Sequence, residues 1–290
     1  MYNELYIVTV LFKPSSVQIE RFIKLSLHYK IIAIDNTPST ELPISQSASF
    51  DTYIALKENK GIAFAQNVGI REVRKKNGKY ILFFDQDSDV EIDFPSNLLN
   101  RLKTVELENK RIAALGPMIY NKVTGKPYKN YVNTHCIDDE NAICPTIISS
   151  GTISPVWAFE KVGMMNESLF IDFVDHEWCW RANNKGYICC MNYKLQLLHQ
   201  VGQKNITCLG FPFLLASPFR YYYQYRNACW LQKKKYVPLG WKIKILIRNI
   251  VGLLYLPWFI DNPLLTIKYM LRGLRDGLIF KMHENESFDK

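Results

Sequence analysis

The sequence predicts an α/β domain: a mostly parallel central sheet with helices on both faces, followed by a C-terminal helical extension. Three observations predict it. Strand-like and helix-like runs alternate through the first half, which implies right-handed βαβ units. Two strand-like runs, "IIAID" (31–35) and "ILFFD" (81–85), are apolar at successive positions, as expected for strands covered on both faces. The chain has 290 residues, 48% of them hydrophobic, enough for one large domain with an appended element.

The elements follow in order. "LYIVTVLF" (5–12), "KIIAID" (30–35), "DTYIALK" (51–57), "YILFFD" (80–85) and "IAALGPMIY" (112–120) read as strands. "SVQIERFIKLSLHY" (16–29) reads as a helix with Val17, Phe22, Ile23 and Leu27 on one face. "IAFAQNVGIREVRKK" (62–76) starts after a glycine and stops at Asn77-Gly78. In the second half, "TIISSGTISPVWAFEKVG" reads as strand, turn and short helix, and a helix begins near Val174 and stops near Gly186. "ICCMNYKLQLLHQ" reads as a strand ending near His199, and Ser217-Pro218 opens a long aromatic and basic helix. A catalytic domain over 1–235 and a helical extension over 236–290 are expected.

Charge is uneven. The net charge is +9, and between Val201 and Met282 thirteen Lys and Arg face two acids, Asp261 and Asp276. Within "WKIKILIRNIVGLLYLPWFI" (241–260) the longest uncharged run, Asn249 to Ile260, is too short to span a bilayer, which takes about 20 apolar residues. Lys242, Lys244 and Arg248 interleave with Ile and Leu. Two accounts stay open: a segment lying on an anionic membrane surface, and a helix packed on the domain with a solvated basic face. Seven cysteines without a CxxC pair read as reduced thiols of a cytosolic protein, and the N-terminal apolar run lacks a basic region before it, so it reads as a first strand.

The chemistry concentrates where "YILFFD" runs into Asp85-Gln86-Asp87-Ser88-Asp89. In an extended chain Asp85 and Asp87 point the same way, and two such carboxylates repel unless a cation compensates. Oxygen-only ligands suit Mg2+ or Mn2+, with substrate phosphates completing the shell. A calcium loop is excluded by Val90 and Ser96 at the positions that would need Gly and Glu. A phosphatase of the DxD type would carry its acid on the first strand. A solvated turn after a core strand remains open on these residues alone. Asp35 closes another strand at the same sheet edge, where ligands of open α/β sheets bind, so Asp35 and Asp85 are expected to face one site.

With these motifs in order, the chain from about Tyr6 to Asn227 resembles the family 2 glycosyltransferases of the GT-A fold. The matching pieces are "IDNT" (34–37), "NKGIAFAQNVGI" (59–70), "DQDS" (85–88), "SSGTISPVWAFEKVGMMNESLFIDFVDHEWCWRANNKGY" (149–187) and "RYYYQYRN" (220–227). "FFDQDS" and "FIDFVDHEWCWR" look most like bacterial rhamnosyltransferases. Two pieces depart from the pattern: Val174-Asp175 stands for the usual Glu-Asp, and the first strand ends Thr9-Val10-Leu11-Phe12.

The resemblance implies roles. Asp87 would ligate the metal directly and Asp85 would contact metal or ribose. Asp175 would be the general base; on spacing alone, an acid favoured by the helix dipole stays open. Asp35 would contact the nucleotide base, with Asn59, Gly61 and Asn67 near the nucleotide. His199 would reach metal or diphosphate, and Arg220 and Arg226 would hold the diphosphate. Glu177 would orient Arg181 or meet acceptor hydroxyls. The implied reaction is inverting transfer of L-rhamnose from dTDP-L-rhamnose to a lipid-linked saccharide in surface polysaccharide (O-antigen or capsule) synthesis, at the cytoplasmic face of the membrane, without a nucleic-acid partner. A UDP- or GDP-sugar donor, an enzyme that makes activated sugars, and a non-catalytic basic binding module are the competing readings. The second would want a glycine-rich loop where "LFKPSSVQIERF" has no glycine.

Overall fold

The computed structural model describes residues 3–39, 42–121, 125–127, 137–199 and 205–283. In chain order the first elements are β1 (Leu5–Leu11), α1 (Ser16–Ser26), β2 (Lys30–Asp35), α2 (Ile44–Ser47), β3 (Thr52–Ala55), α3 (Ile62–Lys75), β4 (Tyr80–Asp85), α4 (Phe94–Glu108) and β5 (Ile112–Asn121). There follow β6 (Asn141–Ile143), β7 (Ile153–Pro155), α5 (Val156–Val162), a 3-10 turn (Glu167–Leu169), α6 (Val174–Asn184) and β8 (Ile188–His199). The hairpin β9 (Asn205–Cys208) and β10 (Phe211–Leu214) leads into α7 (Pro218–Gln232), α8 (Leu239–Tyr255) and α9 (Pro263–Ile279).

Among the described residues one sheet has the order β3-β2-β1-β4-β7-β5-β8-β6. Of the five strands read from the first half, β1 to β4 form a parallel block, β1 lying between β2 and β4. Short β7 enters antiparallel between β4 and β5, and β6 caps β8 antiparallel. Both short strands fall below the length at which apolar periodicity is legible.

Strand parity divides the core. Tyr6, Val8, Ile32, Ile34, Ile81 and Phe83 face a layer made by α3, α5 and α6. Leu5, Ile7, Ile31, Ala33, Leu82 and Phe84 face α1 and α4. The packed face of α1 is Ile19, Phe22 and Leu25, with Ile23 beside it, whereas Val17 and Leu27 are exposed. A capping box between Ser15 and Gln18 fixes the helix start, and the i, i+3, i+6 line from Ile19 is the one that meets the sheet. Val17 sits in the first turn and Leu27 is already the C-cap, which corrects the expected face.

The C-terminal segment joins the same packing. Tyr236 donates to Glu177 of α6 at 2.7 Å, and Trp241 meets Trp180 edge-on at 4.7 Å. Helix α9 lies against α7 at Gly273 and Gly277. A Cβ on Gly273 would stand 2.4 Å from the Tyr222 carbonyl oxygen, and one on Gly277 would stand 2.7 Å from that of Arg226. Small residues four apart let two helix backbones meet.

Candidate functional site

Three elements deliver the site. Parallel pairing sets Val10 opposite Asp85 and Leu11 opposite Asp35, so the two acids flank the end of β1 from neighbouring strands, roughly 10 Å apart. Because Val10 and Leu11 are consecutive, the acids turn to opposite faces of the sheet. Asp35 goes to the α1 side, buried, where its carboxylate accepts from the Tyr53 hydroxyl at 2.7 Å and the Thr37 amide at 3.0 Å. Asp85 goes to the α6 side. The expectation that both acids face one site is thereby changed: they share an edge but not a face.

The turn after β4 is pinned so that its acids project together. Gln86 points away from them and bonds Phe12 twice, receiving the amide of Phe12 at 2.7 Å and donating to its carbonyl at 3.2 Å. Ser88 meets Ser150 at 2.9 Å, and the Ser88 amide closes the turn on the Asp85 carbonyl. Asp87 is exposed and Asp89 pairs with Arg21 at 3.5 Å.

Asp175 stands in the first turn of α6 on the same side, its carboxylate accepting from the Ser149 amide at 3.3 Å. Burial, then the charges of Asp87 and Asp175, push the Asp85 carboxyl up to about 7, with Arg220 pulling the other way. Arg220 is itself held by a fork of bonds to Asp172, the shortest 2.8 Å. The cleft is therefore an acidic cluster whose nearest arginine is already paired, a setting that favours an added divalent cation. Among the described residues no three metal-binding side chains converge on one point, so two carboxylates with phosphate oxygens are the fitting donor set. His199 closes β8, and its side chain lies outside the described residues.

The polar side chains of the "NKGIAFAQNVGI" motif make internal bonds. Asn59 accepts from Asn36 at 3.0 Å and from the Gly61 amide, tying β2 to the start of α3. Gly61 has φ 85°, and a Cβ there would lie 2.6 Å from Phe170. Gly69 admits Val8 of β1 in the same way. Asn67 was expected near the nucleotide; its amide is instead spent on Met165, through both main-chain groups at 2.9 Å, and on Glu167 at 2.7 Å. Arg226 was expected at a diphosphate; its guanidinium donates to the Ser168 and Leu169 carbonyls and stacks over Trp230 and Tyr223. Glu177 is fully buried and paired with Arg181 at 2.8 Å, so it orients that arginine and does not face the cleft.

The segment between the 3-10 turn and α6 was read as part of "FIDFVDHEWCWR", but its backbone conformation was not legible. Phe170, Asp172 and Phe173 all have positive φ, 64°, 63° and 65°. For residues with a Cβ that backbone costs about 1–2 kcal/mol each, so contacts from outside must impose it. The "RN" of "RYYYQYRN" was the signal, since Asn227, fully buried, donates to the carbonyls of Leu169, Ile171 and Asp172.

No protein-family model matches the chain. It is 32% identical over 234 residues to the dTDP-rhamnosyl transferase RfbF of Shigella flexneri, covering 78% of this chain and 77% of that protein. A crystal structure of GalNAc-T7 with UDP, GalNAc and Mn2+ superposes with a TM-score of 0.57 at 12% identity, over 96% of this chain and 55% of that one. S. aureus TarS superposes with a TM-score of 0.51 at 13% identity, over 94% of this chain and 54% of that one. The chain thus spans just over half the length of each of these structures, and at such identities they speak for the fold alone. With RfbF above 30% identity over most of both sequences, the chain belongs to the family 2 glycosyltransferases of the GT-A fold, most like the bacterial rhamnosyltransferases.

Proposed function

We propose that the chain is an inverting, metal-dependent rhamnosyltransferase, moving L-rhamnose from dTDP-L-rhamnose to a lipid-linked saccharide in bacterial surface polysaccharide synthesis. The observation that carries the reaction type is the placement of Asp87 and Asp175 close enough to Asp85, on one side of the sheet edge, for their charges to act on its carboxyl. The donor is supported by the likeness to RfbF, a dTDP-rhamnosyl transferase.

Asp175 takes the proton of the acceptor hydroxyl as that oxygen bonds the anomeric carbon. The bond from that carbon to the diphosphate oxygen breaks with its electron pair leaving on dTDP, and attack from the opposite face inverts the centre. Asp85 and Asp87 would hold a divalent ion, Mg2+ or Mn2+, which when bound would neutralise charge on the departing diphosphate. Asp35 and Asn59 remain the residues proposed for the nucleotide. Gly61, Asn67 and Arg226 act through the loop they hold.

The acceptor side of the proposal rests on α8. Its outward face is Leu239, Ile243, Leu246, Ile247, Ile250 and Leu254, all exposed, and the following turn projects Trp258, 83% exposed, and Phe259. The alternative of a solvated basic face loses support, since Arg248 turns inward over Phe213 and Lys242 bonds the Lys234 carbonyl. An aliphatic stripe carrying exposed Lys244 suits the headgroup region of an anionic bilayer at the cytoplasmic face. No helix among the described residues is long and apolar enough to cross a membrane.

The test is a donor screen with dTDP-rhamnose, UDP-sugars and GDP-sugars, run on the native protein and on Asp175→Ala. Turnover with dTDP-rhamnose that falls about 10²–10⁴-fold in the variant supports the assignment. Preference for a UDP- or GDP-sugar overturns the donor, and full activity in the variant overturns the base.

A further inference from the structure

We propose that Asn227 is a positioning residue of the transfer reaction: its buried amide locks the strained 169–173 segment and thereby sets Asp175 in place. The inference rests on the reading of Asp175 as base. The segment is gripped from two sides, and neither grip touches Asp175. From α3, Asn67 fixes Met165 and Glu167, the Ile62 amide donates to the Phe170 carbonyl at 2.7 Å, and Gly61 makes room for the Phe170 ring. From α7, Tyr223 stacks on Phe170 at 4.5 Å, Arg220 forks onto Asp172, and Arg226 reaches the carbonyls of Ser168 and Leu169.

Asn227 is central to the second grip. Its Nδ2 donates to three carbonyls, those of Leu169 at 2.9 Å, Ile171 at 2.8 Å and Asp172 at 3.2 Å, which straddle the left-handed residues. Its Oδ1 accepts from Arg226 Nε at 3.1 Å and Nη2 at 2.9 Å, so one side chain joins the loop to the arginine that also holds it. Only an amide supplies both. Asp at 227 would turn an oxygen toward three carbonyl oxygens, and Ala would take this donor from all three, leaving Leu169 only Arg226 and the Ile171 amide. The Phe173 αL residue is the N-cap of α6, and Asp175 follows within the first helical turn, so relaxation of the loop moves the carboxylate directly. A small displacement of a base lowers turnover without changing how donor binds.

The experiment measures kcat, donor KM, dTDP affinity by calorimetry and backbone hydrogen exchange in Asn227→Ala, Asn227→Asp and Arg226→Gln. The expected result is a kcat about 10–100-fold lower in Asn227→Ala and lower still in Asn227→Asp. Donor KM and dTDP affinity should stay within about twofold of native, with faster exchange confined to 168–176. Native kcat in Asn227→Ala, or a kcat loss matched by an equal loss of dTDP affinity, overturns the inference. If Asn227→Ala does not fold, Arg226→Gln decides: it removes the two outer carbonyl bonds, and native kcat there overturns the inference equally. Asp175→Ala in the same series separates the two readings. Native turnover in that variant defeats the base assignment, whereas an inactive Asp175→Ala beside a fully active Asn227→Ala defeats only the role of Asn227.

Discussion

The carboxylate of Asp85, buried where strand β4 closes, lies within the field of Asp175 in the first turn of α6; burial, then the charges of Asp87 and Asp175, raises its affinity for a proton. The pair marks where two halves of the chain meet. It also makes the free protein sensitive to pH in a defined direction.

Asp85 has an ordinary value of 3.8 and is pushed to about 7 in the fold. Between those values the folded chain keeps a proton that the unfolded chain has lost. Its contribution therefore favours the fold at low pH and fades as pH rises toward about 7. A displacement of that size is at most about 4 kcal/mol, and about 2 kcal/mol is expected for a side chain that water partly reaches. Asp85→Asn should make the nucleotide-free protein about 2 kcal/mol more stable near pH 8, with the gain shrinking near pH 4, by urea unfolding. Mn2+ with dTDP should stabilise the native protein near pH 8 and do much less for Asp85→Asn or Asp87→Ala. Equal Mn2+ effects in all three proteins would remove the metal from Asp85 and Asp87.

Replacing Leu246 and Ile250 together by Glu places charge on the outer face of α8, where the two side chains are 56% and 53% exposed. Flotation with anionic vesicles should fall at least about tenfold, since each aliphatic chain contributes about 1.5–3 kcal/mol when buried in an apolar phase. Transfer to a short soluble acceptor should be unchanged. Unchanged flotation, or native dimers by light scattering that the substitution dissociates, would assign the face to a second copy and not to lipid.

Gly273→Ala inserts a methyl 2.4 Å from the Tyr222 carbonyl oxygen, and Gly277→Ala inserts one 2.7 Å from that of Arg226. Each should cost about 1–3 kcal/mol through separation of α9 from α7. Because Arg226 is carried on the same turn, a loss of turnover should accompany the loss of stability. Native stability in both variants would show that the helices do not need this close approach.

How much of this was legible can be argued from particular residues. "IIAID" and "ILFFD" announced buried strands because both of their faces are apolar, and Ser217-Pro218 announced α7 because a proline fits a helix start. β7 gave no periodic signal in three residues, yet it separates β4 from β5. Asp85 and Asp87 were readable as a charged pair at a strand end, whereas the fork from Arg220 to Asp172 was not, since nothing local links residues so far apart. Asn67 and Arg226 were read as ligand contacts because motif spacing does not say whether a polar side chain faces a ligand or the chain's own backbone. Gly273-Leu-Arg-Asp-Gly277 carried a helix-contact signal that could have been found.

With Asp35 on one side of the sheet and Asp85 on the other, a donor touching both must sit astride the strand tip like a rider. On the roles proposed for Asp35 and Asp175, recognition of the base and handling of the sugar belong to separate walls, and substitutions on the α6 wall should change sugar preference while leaving dTDP affinity alone.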